Sequence, residues 1–360
     1  MAITVSTVGP GKDYSTLAAW WSAKSGGTDV AQAVCYSGSD LGMLAITSAP
    51  SFTTSASEPL KISVAQGNMH DGVTPNTGAY MTATGSFQAG LVISAGIHYI
   101  EVEGLACSAG SQTFGIVGAG LVASSWSNCL VVGPAAGTQP LSGMGLFTSY
   151  NLAQNMACKI FNNIIVNCGE GIGAVCGSSV GSVTLRKWEI YHNTVKDSSG
   201  NGIAWTFTGN ASTPTINLHI NNNIVVGSGG NDYDEISAAS SRAAHTVASE
   251  GHHNNIASDA TASSAGPGAS TSGAQDSKTA SSLFTNSGTN DLTLKVGSAA
   301  IDTGNFVSGQ LAFGFDTDIL GRKRKAAFDC GAFEYLPQGD STHVNKASQR
   351  LSDGSALMGD

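Results

Sequence analysis

Glu101 and Glu103 are the residues whose type and spacing come closest to doing chemistry. As i,i+2 neighbours on a strand they would share a face, about 6.5–7 Å apart. Glycoside hydrolysis needs two carboxyl groups roughly 5–10 Å apart, and a close carboxylate pair can also hold calcium. Between residues 41 and 230 the other carboxylates are Glu58, Asp71, Glu170, Glu189 and Asp197. No Lys or Arg stands between Lys61 and Lys159, so a solvated strand edge is the plainer reading of the pair. A second cluster, Asn231-Asp-Tyr-Asp-Glu235, follows the glycine-rich Gly227-Ser-Gly-Gly230. Asp232, Asp234 and Glu235 offer hard oxygen ligands for Ca²⁺, and Tyr233 could stack on a sugar; a polar loop between repeats is again plainer.

Other chemistry is harder to build. Asp316-Thr-Asp-Ile-Leu-Gly321 departs from an EF-hand loop because Leu320 stands where an oxygen ligand belongs. Pairing of Arg322 with Asp318 or Asp329 in a structural turn is expected instead. His192, His219, His245, His252 and His253 fall on positions that a repeat, described below, accounts for, so no metal site is expected. No P-loop or dinucleotide fingerprint occurs. The seven cysteines are odd in number and form no Cys-x-x-Cys, which points to buried free thiols from a reducing compartment.

Composition narrows the classes further. Asp, Glu, Lys and Arg make up 11% of the chain, less than half the usual quarter or so. A net charge of −9 argues against nucleic acid as a partner. No apolar run is long enough to span a membrane. The first residues lack a basic region and an apolar stretch, so classical secretion is not expected. Hydrophobic content of 41% supports a core, and 46 glycines among Ser, Thr, Asn and Val suggest many strands and turns.

The elements that must position these groups are legible as a repeat. Lys159-Ile-Phe-Asn-Asn-Ile-Ile-Val166, Glu189-Ile-Tyr-His-Asn-Thr-Val-Lys196, His219-Ile-Asn-Asn-Asn-Ile-Val-Val226 and His252-His-Asn-Asn-Ile-Ala257 align on Asn163, Asn193, Asn223 and Asn255, at spacings of 30, 30 and 32. Trp126-Ser-Asn-Cys-Leu-Val-Val132 reads as an earlier copy, with Asn128 in the same column. Ile160, Ile190 and Ile220 form an inward column, and Leu130, Ile165, Val195 and Val225 another. Asn tolerates a left-handed bend and its amide can bond its equivalents above and below. Two short strands around such a bend, repeated, make the rung of a parallel β-helix whose apolar side is buried only by stacking. The predicted fold is therefore all-β, a right-handed parallel β-helix of roughly seven rungs over 41–258, about 35 Å long. Trp126, Phe161 and Tyr191 would share one outward column, and Ile164 and Ile224 another. Such an apolar stripe suggests a subunit interface, and low charge agrees with one.

Around the rungs, residues 1–40 read as a strand and a capping helix. Ser15 or Asp13 would be its N-cap, with Leu17, Trp20 and Trp21 as an apolar plug. Residues 259–282 read as a Ser/Ala/Gly-rich loop, 283–335 as a closing segment and 336–360 as an extended polar tail.

Val8-Gly-Pro-Gly-Lys-Asp-Tyr-Ser-Thr-Leu17 resembles the opening of pectate-lyase-like right-handed β-helix proteins. Leu283-Phe-Thr-Asn286, Asp291-Leu-Thr-Leu294, Gly297-Ser-Ala-Ala-Ile-Asp-Thr-Gly304, Asp316-Thr-Asp-Ile-Leu-Gly-Arg322 and Phe328-Asp-Cys-Gly-Ala-Phe-Glu-Tyr335 resemble their closing pattern in order. The chain departs from it at Ala299, where Pro is usual, and at Cys330, where an aliphatic residue is usual. That superfamily includes polysaccharide lyases and hydrolases, adhesins and bacteriophage spikes, fibres and decoration proteins, so the fold alone does not select a function. With few carboxylates, free thiols and an apolar stripe, the expectation is a non-enzymatic bacteriophage virion protein. It would be a β-helical capsid decoration protein or short fibre made in the host cytoplasm, without cofactor or metal. It would form a homotrimer on other virion proteins. The alternatives are a polysaccharide lyase or depolymerase using Glu101, Glu103, Asp232 or Asp234, and a non-catalytic adhesin for a surface glycan.

Overall fold

The computed structural model describes residues 2–83, 89–93, 97–109, 114–119, 123–133, 144–147, 156–177, 185–208, 215–236, 246–264, 271–305 and 316–337. It is a right-handed parallel β-helix. Three sheets of nine, seven and seven strands, here A, B and C, run along the stack. One rung shows the path. Ile172–Gly177 lies in sheet C, Leu185–Tyr191 in sheet A and Thr194–Lys196 in sheet B, before the chain climbs to Ile203–Thr208 in sheet C. Each strand pairs in parallel with its equivalent one rung away, as in Ile160 with Ile190 and Ile190 with Ile220.

The corner between sheets A and B takes two residues. The first adopts a left-handed backbone: Asn162 (φ 54°), His192 (52°), Asn222 (58°) and Asn254 (54°). The second turns its amide inward as the ladder: Asn163, Asn193, Asn223 and Asn255 are buried. Asn193 Oδ1 accepts from the backbone N–H of Asn163 at 3.0 Å and from its Nδ2 at 2.9 Å. Asn193 Nδ2 donates to Ile160 O at 2.9 Å and Asn223 Oδ1 at 3.0 Å. Neighbouring rungs from Asn163 to Asn255 thus satisfy the polar groups of one another's buried corners, as burial requires.

Asn128 does not belong to that ladder. Its φ of 54° places it in the left-handed column, and Cys129 occupies the ladder position, donating its N–H to Asn163 Oδ1 at 2.9 Å. The alignment is therefore offset by one residue in this rung, and an offset of one exchanges the two faces of a strand. Trp126 pairs with Ile160, not Phe161, and lies fully buried in the interior. Leu130 pairs with Ile164 and turns outward from the stack, and Val131 takes the inward place.

The interior holds Trp126, Trp188 and Trp205 along with the Ile160, Ile190 and Ile220 column. Burying each large aliphatic side chain contributes about 1.5–3 kcal/mol. The strands β1 (Ile3–Val8) and β2 (Val30–Cys35), assigned from sequence to a separate segment, are the first two of sheet A. Between them, helix α1 (Leu17–Lys24) plugs the end of the stack with Leu17, Trp20 and Trp21. Its N-cap is Thr16, whose Oγ1 accepts from Ala19 N at 3.1 Å. Asp13 instead accepts from the N–H and hydroxyl of Thr7.

At the far end, part of the predicted loop is a seal. Residues 272–278 run beside Ile256–Ala257, with Gln275 N donating to Asn255 O and Ala257 N to Gln275 O, each at 2.9 Å. Residues 338–360, most of the polar tail, and 265–270 lie outside the described residues. Among the described residues no helix is long and apolar enough to cross a membrane.

Candidate functional site

The outer face of sheet A carries the nearest approach to a site. Stacking brings Gln32, Lys61, Glu101, Ser125, Lys159, Glu189 and His219 into one outward column. Lys61, one rung from the pair, lies 3.4 Å from Glu101 and 3.8 Å from Glu103. Both carboxylates remain nearly half exposed, at 46% and 44%, so each ion pair contributes little, of order 0–1 kcal/mol. No Lys or Arg stands between Lys61 and Lys159 in sequence. Lys61 lies one rung from Glu101 and Lys159 two rungs away on the other side, each rung being only about 4.8 Å along the stack. Aligning Lys61 with Glu101 was the signal available to find this.

Beside them lies a cleft of about 190 Å³. Tyr99, Glu101 and Lys159 border it, and Ala123, Ser125 and Ala157 form its small-residue floor. Burial lowers the Lys159 ammonium from its usual range, opposed by Glu189 and Glu101. Further along the column Glu189 is buried and lies 2.8 Å from Lys187 Nζ. The Tyr191 hydroxyl donates to it at 3.4 Å. The cleft thus offers a carboxylate, an ammonium, a hydroxyl and an aromatic ring within a small volume.

The second cluster serves the fold. Asp232 is buried, and its carboxylate accepts from Ser228 N at 3.3 Å, Ser258 Oγ at 2.7 Å and Asp259 N at 3.3 Å. Asp234 accepts from Asn231 Nδ2 at 2.9 Å and Asn201 Nδ2 at 3.1 Å. The Tyr233 ring is buried, and its hydroxyl donates to Asn223 O at 3.1 Å, so it offers no face to a sugar. Among the described residues, no three of His, Cys, Asp and Glu gather as metal ligands. His245 lies outside the described residues.

The closing segment occupies the left-handed corner column. Arg324 Nη2 donates to Asn162 Oδ1 at 2.9 Å, and Asn162 Nδ2 to Thr317 O at 2.7 Å. Asn222 exchanges two bonds with the Asn305 backbone, each 3.0 Å. His192 Nδ1 lies 3.3 Å from Asp329 O, and burial and the Arg324 guanidinium hold the ring neutral. Arg322 pairs with Asp318, its Nε donating at 2.7 Å. Arg324 pairs with Glu334 at 3.4 Å, both side chains fully buried. Burial and Asp329 raise the Glu334 carboxyl to about 7.

This segment also disposes of the expected stripe. Ile164 and Ile224 do face outward from the stack, but they are buried in a second core with Leu283, Phe284, Ala332 and Phe333. Phe161 and Tyr191 are outward too, yet only 7% and 2% exposed. Trp126 is inside the stack. The five residues therefore present no apolar surface, and the trimer expectation loses the observation that carried it. Cys35, Cys107, Cys129, Cys158, Cys168 and Cys330 are free and buried, and burial pushes their thiols up to about 12.

No family model, curated protein or solved structure matches the chain.

Proposed function

We propose that the chain is a non-catalytic structural protein of a bacteriophage virion, a β-helical capsid decoration protein or short fibre. The supporting observation is how its acidic groups are used. Asp232 and Asp234 close a corner of the stack, Asp318 and Glu334 hold the closing segment, and Glu101 and Glu103 share Lys61. A general acid in a glycosidase needs a raised pKa beside an ionised partner. Glu334, raised by burial, is sealed beside Arg324, and Glu170, raised by burial and by Asp234, has as its neighbour a carboxylate held by Asn231 and Asn201. Incubation with capsular or lipopolysaccharide glycans tests the reading: no reducing or unsaturated ends should appear. Their release, abolished by Glu101→Gln or Asp232→Asn without unfolding, would replace it with a depolymerase.

The cleft beside Glu101 favours a second reading, a non-catalytic glycan-binding adhesin. Hydroxyl groups can both accept from Lys159 and donate to Glu101 and Ser125. Glycan-array binding that Lys159→Ala removes, without product formation, would select it.

A further inference from the structure

The solenoid seals both edges of sheet B with its own chain, whereas part of β1, the first strand of sheet A, meets no such seal among the described residues. At the near edge of sheet B, Leu41 N donates to Tyr80 O at 2.9 Å and Thr82 N to Asp40 Oδ1 at 3.2 Å. The far edge of that sheet is closed by 272–278, as described. On β1, the carbonyls of Ala2 and Val8 face β2, accepting from Val30 N and Tyr36 N. Strand alternation then turns the N–H and C=O groups of Ile3, Val5 and Thr7 to the free side. Thr7 is capped there: its N–H donates to Asp13 at 2.9 Å and its carbonyl accepts from Tyr14 N at 3.1 Å. Ile3 and Val5 meet no backbone partner on that side among the described residues. Their side chains are 42% and 58% exposed.

We propose that β1 is a self-association edge, pairing antiparallel with β1 of a second copy about a two-fold axis at Thr4. That register sets Ile3 of one copy opposite Val5 of the other, on both sides of the axis. Residues with free N–H and C=O groups then meet their like, forming two hydrogen-bonded pairs that exchange about four bonds. A shift of one residue would oppose free groups to groups already used by β2. The same register packs the exposed Ile3 and Val5 side chains against each other on one face.

Charge favours the same occupant. Residues 3–8 contain no Lys, Glu or Pro, the residues with which natural edges resist pairing. Around this end Lys12 and Lys24 balance Asp13 and Asp29, although the chain as a whole carries −9. Helix α1 turns Ala18, Ala19, Ser22 and Ala23 to solvent, so the exposed face of the helix is small and uncharged. Isologous pairing closes with two copies. The inference goes beyond the virion reading and does not depend on it.

Light scattering and sedimentation of the full chain test it. A mass of twice 36.4 kDa is expected. Val5→Lys should reduce it to a single chain at the same concentration. Val296→Lys, at an apolar position 80% exposed elsewhere, should leave it paired. Hydrogen exchange supplies a second readout: the Ile3 and Val5 amides should be protected in the wild type and lose that protection on dilution to monomer. A monomer at the highest soluble concentration, a trimer, or a dimer that Val5→Lys leaves intact with those amides unprotected would overturn the proposal.

Discussion

Replacing Asn193 by Ala removes the central link of the ladder. Asn193 is fully buried, and its amide makes four hydrogen bonds, two as acceptor and two as donor. The neighbours do not lose equally. Asn163 Nδ2 keeps its bond to Trp126 O at 3.0 Å, and Asn223 Oδ1 keeps the Asn193 backbone N–H at 2.9 Å. The Asn163 N–H loses its acceptor outright. One stranded buried donor costs about 1–3 kcal/mol, and the remaining lost bonds about 0.5–1.5 kcal/mol each. With partial relaxation around the smaller side chain, a loss of about 3–5 kcal/mol is expected. Asn128→Gly is the matched control, because Asn128 holds a left-handed bend and no ladder bond. Glycine adopts that backbone freely, so a change within about 1 kcal/mol is expected. Urea unfolding followed by tryptophan fluorescence measures both. Equal destabilisation by the two substitutions, or a loss below about 1 kcal/mol for Asn193→Ala, would refute the ladder assignment.

Three further outcomes follow from burial. Trp126→Ala should cost about 3–5 kcal/mol in the same unfolding assay, as for an interior aromatic, whereas a surface position would change stability by about 0.5 kcal/mol or less. Stability against pH should show two opposed groups. Burial lowers His70 to about 4, so its contribution is full above its unfolded value near 6.5 and is lost as pH falls toward 4. Glu334, raised to about 7, contributes fully below about 4.5 and loses that contribution as pH rises to 7. Each amounts to about 3 kcal/mol over its window. Glu334→Gln should therefore make stability climb more steeply with pH between 4.5 and 7, and His70→Asn less steeply between 4 and 6.5. Iodoacetamide at pH 8 should leave the six buried thiols unmodified in the folded protein and label them after unfolding; rapid labelling of the native chain would contradict their placement.

Repetition made most of the fold legible. Asn163, Asn193, Asn223 and Asn255 recur with flanking aliphatics, and only a stacked rung explains both spacing and register. The rung at Asn128 was misread because an Asn before aliphatic residues fits either corner position; only the backbone dihedral tells them apart. From that single residue followed the errors at Trp126 and Leu130. The outward stripe was half legible. Ile164 and Ile224 do leave the stack, but the distant closing segment, from Leu283 onward, covers them, and nothing local to those strands announces it. Lys61 and Lys159 were hidden as companions of Glu101 for the same reason, since rung stacking turns distant residues into neighbours. The sealing role of 272–278 could not be read from its Ser, Ala and Gly, because it works through backbone groups.

The central claim, a structural β-helix of a virion and not a free enzyme, is tested most directly by cryo-electron microscopy of intact particles from cells that make the protein. The account predicts rod-like density about 35–40 Å long at the particle surface, fitted by the three-sheet stack with its outer sheet A face traceable. Particles without such density, with the chain recovered only in the soluble fraction, would contradict it.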